Sequence, residues 1–110
     1  MKIYIAGKIT GEDREEVIKK FSRAEEYLKK AENEVFNPTV LPAYSDVPLD
    51  DYLHICFAII DVCDSIYMLS DWQTSIGARK ELQYASDWGK TILYETETTR
   101  EDSFPIVYKR

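Results

Sequence analysis

Glu81 is the acidic side chain in this 110-residue sequence whose position asks for a chemical explanation. It belongs to Ser75-Ile76-Gly77-Ala78-Arg79-Lys80-Glu81-Leu82-Gln83-Tyr84-Ala85, a loop feeding the first turns of a helix. At about 100° per residue, Ala78, Leu82 and Ala85 share one face and Glu81 lies on its flank, so its carboxylate points inward. A carboxylate beside a packing face is costly unless it is paired or used. A fixed carboxylate able to attack or stabilise an electron-poor carbon is what cleavage at an anomeric centre needs. Such chemistry also needs a proton donor or a stabiliser of the leaving group. Asp71 is the acid best placed for that role and Glu95 the second, although Asp71-Trp72 reads equally as a turn residue followed by an exposed aromatic.

Two glycine-bearing loops could surround that carboxylate: Ala6-Gly7-Lys8-Ile9-Thr10-Gly11 and Ser75-Ile76-Gly77-Ala78. Each leads to a helix amino terminus, whose free backbone N–H groups suit an anion. Either alone also reads as an ordinary tight turn. Neither matches a GxxxxGK[ST] or a GxGxxG pattern, which argues against ATPase and dinucleotide chemistry. Cys56 and Cys63 form no CxxC pair, and His54 is the only histidine, so the sequence calls for no metal site and no cofactor. Tyr4 and Tyr67 fall within strand-like runs and read as core, with Tyr4 close to the first glycine loop.

The elements that must carry these residues alternate. Lys2 to Ala6 is a short apolar strand. After the glycine loop, Val17, Phe21, Ala24, Leu28 and Ala31 recur at helical spacing with Thr10 or Asp13 as cap. Glu34 to Phe36 is a second strand, and the proline-bearing stretch from Thr39 to Pro48 is a surface loop, a candidate lid. Asp50 or Asp51 caps a helix over Tyr52 to Val62, with Leu53, Phe57 and Ile60 along one side. Asp64 to Leu69 is a buried strand. The helix after Ser75 ends near Gly89, Lys90 to Glu95 is a fourth strand, and Phe104 to Tyr108 a weaker fifth. This order predicts one domain over residues 1–110, an α/β three-layer Rossmann/flavodoxin-like domain with a 4–5 stranded parallel sheet. In such sheets ligands bind outside the carboxyl ends of the strands. Gly7 to Gly11, Ser70 to Ser75 and Glu95 follow strands, whereas Asp64 belongs to the opposite edge.

Composition narrows the partners. Hydrophobic residues at 45% and charged residues at 31% give a globular balance. The formal charge of −6 has the wrong sign for a long nucleic acid, while a mononucleotide needs only a few local donors. No apolar run approaches the roughly 20 residues of a membrane span. The amino terminus enters a strand without an apolar leader, which predicts a cytoplasmic protein.

Three stretches together, Tyr4-Ile-Ala-Gly-Lys-Ile-Thr-Gly11, Cys63-Asp-Ser-Ile-Tyr-Met-Leu69 and Ser75-x-Gly-Ala-x-x-Glu81-x-x-x-Ala85 with Gly89-Lys90, resemble the nucleoside 2-deoxyribosyltransferase superfamily. The likeness covers about 90 residues and points to the small bacterial and phage-type branch and to the deoxynucleoside 5′-monophosphate N-glycosidases. It implies that Glu81 is the nucleophile at C1′. It implies that Ser75 holds a phosphate, or contacts the sugar as an aspartate does in the transferases, and that Gly77 lies between the two. Gly7, Lys8, Ile9, Thr10 and Gly11 match the first pocket loop, and Tyr4 matches a tyrosine near the glutamate. Cys56 stands where the catalytic members carry an aspartate that assists base departure. The expected activity is N-glycosidase-like cleavage of a nucleoside or nucleoside 5′-monophosphate. The alternative is a nucleotide-binding module with the same pocket and no turnover. The sequence lacks the carboxyl-terminal extension of the transferases, which favours hydrolysis over transfer. Relatives complete their pockets across subunits, so a homodimer is expected, with Trp72 and Trp88 as exposed candidates for the interface or for base stacking.

Overall fold

Strand β1 (Lys2–Ala6) alternates its side chains between two different cores, and the layers follow from that alternation. Ile3 and Ile5 join Tyr67, Leu69 and Leu93 against Val17, Phe21, Ala24 and Leu28 of helix α1 (Arg14–Lys30). Tyr4 and Ala6 point the other way and join Ile66, Met68 and Ile92. There they meet Cys56 and Ile60 of α2 (Leu49–Asp61) and Ala78, Leu82 and Ala85 of α3 (Ile76–Asp87). The computed structural model describes residues 1–41 and 48–95 and the backbone of 106–108. Within them β2 (Glu34–Phe36), β3 (Ser65–Met68), β4 (Thr91–Tyr94) and β5 (Ile106–Tyr108) complete a sheet of order β2-β1-β3-β4-β5. Two short 3₁₀ turns, Pro38–Val40 and Trp72–Thr74, follow β2 and β3.

The three-layer α/β architecture is the one expected, with one refinement. β1 to β4 are mutually parallel, and β5 joins β4 antiparallel. Only eleven residues, 95–105, separate β4 from β5, fewer than the dozen or more that a parallel crossover needs. Phe104 and Pro105 of the predicted fifth strand lie outside the described residues, as do 42–47 of the predicted loop and lid.

Capping explains the helix boundaries. Asp13 starts α1, its side chain accepting from the Glu16 N–H at 3.2 Å. Glu15 and Glu16 meet the positive end of the dipole, and Lys29 and Lys30 the negative end. Helix α2 begins earlier than expected. Asp50 and Asp51 are not caps but first-turn residues, and the N-cap is Pro48, which makes no side-chain capping bond. Its fixed φ sets the entry of the chain, and the two carboxylates interact with the dipole instead.

The strand order reverses direction between β1 and β3, leaving a crevice outside their carboxyl ends. The loop after β1 starts at Gly7, and a Cβ there would lie 2.6 Å from Leu69 Cδ1 and 3.0 Å from Leu69 Cβ. Glycine is therefore required for the first loop to turn over the end of β3. Gly7→Ala is expected to lower stability by about 1–3 kcal/mol through overpacking, read as a shift of the urea midpoint. An unchanged midpoint would mean that the two loops are not packed as described.

Candidate functional site

Helix α3 delivers Glu81 to the crevice because of how it starts. Ser75 is extended (φ −112°, ψ 118°), and its Oγ accepts from the Ala78 N–H at 3.1 Å. That cap fixes the first turn, and the next turn carries Glu81 inward beside Leu82. Glu81 is only 5% exposed. Beneath it stands Tyr4, whose hydroxyl donates to Glu81 Oε2 in a buried hydrogen bond. The buried Cys56 of α2 belongs to the same core cluster as Tyr4 and neighbours the Glu81 carboxyl. Tyr4 is oriented in turn by its stack on Phe36, at 6.1 Å between ring centres.

This environment sorts the protonation states. Burial pushes the Glu81 carboxyl up to about 7, and the hydrogen bond from Tyr4, with the nearby Cys56 thiol, pulls it back towards the charged form. Burial, and after it the nearby Glu81 charge, pushes the Cys56 thiol to about 12. The same two causes raise the Tyr4 phenol well above its usual value. Near neutral pH, Glu81 is thus the member of the cluster that changes charge, while the thiol and the phenol remain neutral.

A cavity of about 610 Å³ opens over the carboxylate. Gly7, Lys8, Ile9, Thr10, Gly11, Ser75, Gly77 and Glu81, all singled out in the sequence, line it together. Tyr4 does not reach the cavity surface and acts from below through Glu81. Asp71, expected as the acid, is not in the lining. Its Oδ1 accepts from the Lys8 N–H at 3.1 Å and its Oδ2 is paired with Lys20 Nζ, so both oxygens are occupied in holding the Gly7 loop to the loop after β3. Glu95 likewise accepts from the Ser70 N–H at 2.9 Å, away from the cavity. Trp72 is half-buried near Tyr94, whereas Trp88 is 66% exposed. Among the described residues no group of three or more His, Cys, Asp or Glu side chains is arranged to hold a metal ion.

Sequence reasoning missed the α2 wall and Arg14. Leu49, Tyr52 and Leu53 line the cavity, and Cys56 continues the same helical stripe down to Glu81. The spacing of these four is the i, i+3, i+4, i+7 signature of one helix face. It was obscured by placing the helix start after Asp51 and by aligning the buried side on Phe57. Arg14 lines the cavity from the first position of α1.

The sequence profile of a family described as "Domain of unknown function (DUF4406)" matches residues 1–94. The chain belongs to this family. In this DUF4406 chain the matched stretch holds every element from β1 to β4 and all of the cavity lining. No curated protein matches it. Among solved structures it is similar to "Structure of Clostridium botulinum CMP N-glycosidase, BcmB", with a TM-score of 0.58 over 91% of this chain and 75% of that one. At 18% identity this likeness establishes the fold. No helix among the described residues is long and apolar enough to cross a membrane.

The buried carboxyl makes stability depend on pH. The folded pKa of about 7 lies above the ordinary 4.5, so between these values the native state holds a proton that the unfolded chain releases. Wild-type stability should therefore fall as pH rises from about 4.5 to about 7 and level off above. Glu81→Gln removes that dependence and is expected to be about 1–3 kcal/mol more stabilising at pH 8 than at pH 5 in urea unfolding. Equal effects at both pH values would show that the carboxyl titrates normally.

Proposed function

We propose that the protein is an N-glycosidase-like enzyme that cleaves the base–sugar bond of a small nucleoside or nucleoside 5′-monophosphate, with Glu81 as nucleophile. The observation that carries the reading is the Glu81 carboxylate itself, buried, held by Tyr4 and facing a cavity rimmed by two glycine loops. A nucleophilic carboxylate needs a fixed oxygen, exclusion of water and access to the anomeric carbon. The sequence resemblance and the fold shared with a CMP N-glycosidase support the same chemistry. In the first step a Glu81 oxygen bonds to C1′ while the bond from C1′ to the base breaks with its electron pair. Water then opens the glycosyl ester and regenerates the carboxylate.

The phosphate end falls at the start of α3. Ser75 Oγ already accepts from Ala78 N–H, which leaves its own O–H to donate to a phosphate oxygen beside the positive end of the helix. A Cβ on Gly77 would meet the nearest protein atom, Leu49 Cδ1, at 3.7 Å, so the protein's own packing does not demand glycine there. Its absence of a side chain suits close approach by a ligand. Lys8 and Arg14 add positive charge around the same cavity.

A non-catalytic nucleotide-binding module is the second reading, and one observation favours it. Asp71 is held in an ion pair with Lys20, and Glu12, the other carboxylate in the described lining, lies 3.5 Å from the same lysine. Among the described lining residues no carboxylic acid other than Glu81 is thus clear of Lys20 to protonate the departing base. We also place the protein in the cytoplasm as a homodimer, with the exposed Trp88, Val62 and Ile55 as the apolar surface for self-association. Sedimentation of a dimer supports this, and a monomer at all concentrations contradicts it.

Incubation with a panel of nucleosides and 5′-monophosphates, with chromatographic detection of free base, tests the reading. Release is expected to fall about 10³-fold or more in Glu81→Ala. It should rise about tenfold per pH unit below about 7 and level off above, because the nucleophile must be ionised. Ser75→Ala is expected to raise KM about tenfold more for monophosphates than for nucleosides, a change common to both reporting the lost helix cap. Tight binding of an unchanged nucleotide would establish the second reading, and equal release by Glu81→Ala would overturn the first.

A further inference from the structure

Lys20 of α1 leaves its own helix to find its partners, unlike Lys19 and Lys29. Those two pair with Glu16 and Glu25 along α1 and keep side-chain exposures of 65% and 57%, the ordinary arrangement of a solvated face. The Lys20 side chain is 24% exposed. Helical side chains lean towards the start of their helix, which brings its Nζ between Glu12 Oε1, at 3.5 Å, and Asp71 Oδ2. Glu12 stands just before the Asp13 cap and lines the cavity, whereas neither Lys20 nor Asp71 does. Asp71 is itself fixed from both loops: Oδ1 accepts from the Lys8 N–H at 3.1 Å, and its carbonyl accepts from Thr74 Oγ1 at 3.0 Å, one residue before the Ser75 cap.

We propose that Lys20 is a positioning residue that makes the cavity receptive to a phosphate-bearing ligand: anchored by Asp71, its ammonium holds the Glu12 carboxylate and offsets its charge beside the site. The proposal rests on the reading of the ligand as a nucleoside 5′-monophosphate, and not on that ligand being cleaved. A phosphate monoester carries more than one negative charge near neutral pH and is repelled by a bare carboxylate in the cavity wall. A carboxylate facing its counter-ion acts at a distance as a dipole, whose field falls off faster than that of a single charge. The described lining holds Lys8 and Arg14 against Glu12 and Glu81, so once Glu81 is ionised the cavity has no cationic surplus of its own. Lys20, standing outside the lining, supplies the charge that offsets Glu12.

Two consequences separate this role from that of a simple strut between loops. A nucleoside without its phosphate has no anionic end, so its binding should be nearly indifferent to the charge beside the cavity. Lys20 acts through Glu12, so removing the charge of Glu12 should make Lys20 dispensable. A strut would fail on both counts, because loosened loops weaken every ligand alike and a neutral residue at position 12 does not tighten them.

The test is calorimetry of the full chain with C-nucleoside 5′-monophosphates of a purine-like and a pyrimidine-like base, whose carbon–carbon bond to the sugar resists cleavage, and with the parent C-nucleosides. Lys20→Met is expected to weaken the monophosphates about tenfold more than the nucleosides. Lys20→Arg, which keeps the charge, should stay near wild type, and so should Lys19→Met, which removes an ion pair within α1. Glu12→Gln should restore monophosphate affinity in the Lys20→Met chain. If Lys20→Met does not fold, Lys20→Gln, neutral and polar, takes its place. Equal losses for monophosphate and nucleoside, no restoration by Glu12→Gln, or no binding of either monophosphate by wild type overturns the proposal. Base release from natural monophosphates is measured on the same samples, and in the active case Lys20→Met raises KM while kcat holds. The expected binding pattern without base release from wild type would leave Lys20 in its role and remove the N-glycosidase reading. Base release by wild type with equal losses for monophosphate and nucleoside in Lys20→Met would do the reverse.

Discussion

The hydrogen bond from Tyr4 to Glu81 joins residues 77 apart in sequence and ties the first strand to the third helix in the middle of the core. A carboxyl buried there without a partner would be strongly destabilising. The partner exists because Tyr4 is the second of four buried residues on β1, alternating onto the α2/α3 face while Ile3 and Ile5 pack on α1. A slip of one residue in the register of β1 would turn the phenol to the other face and leave the glutamate bare. Strand register, helix placement and the ionisation of one group therefore depend on one another.

Around that bond most of the acidic residues with a defined partner serve as support. Asp71 binds the Lys8 N–H and Lys20, and Asp64 accepts from the Lys2 N–H at 2.8 Å at the other end of the sheet. Glu95 accepts from Ser70 N–H. Each fastens a loop to a strand end. Glu81 differs because it is buried, its hydrogen-bond donor is a phenol and its remaining surface faces a cavity. Burial opposed by a neutral donor is what brings its change of charge close to neutral pH.

Much of this was legible from residue order. The apolar period of α1, the buried run of β3 and the inward flank position of Glu81 each predicted what the structure contains, because local pattern and burial agree there. The eight cavity residues read from the two glycine loops and α3 share one cavity because they follow parallel strands at one edge. Asp71 was misleading for a physical reason. The rule of strand ends places it on the binding edge, but it cannot reveal that Lys20, a full helix away, comes back to neutralise it. The α2 wall was hidden by a boundary. Pro48 starts that helix without a side-chain cap, and a search for capping aspartates moved the start past Leu49 and concealed the stripe running to Cys56. The antiparallel β5 was equally invisible, since three residues of strand carry no mark of direction.

The account stands on Glu81 forming a bond to the sugar. The most direct measurement is intact-protein and peptide mass spectrometry after incubation with a nucleoside 5′-monophosphate bearing fluorine at C2′, a group that slows hydrolysis of a glycosyl ester. The predicted result is a single sugar-phosphate adduct mapped to Glu81, absent in Glu81→Gln. Base release from the natural substrate by Glu81→Gln at the wild-type rate, or an adduct on any other residue, would contradict it.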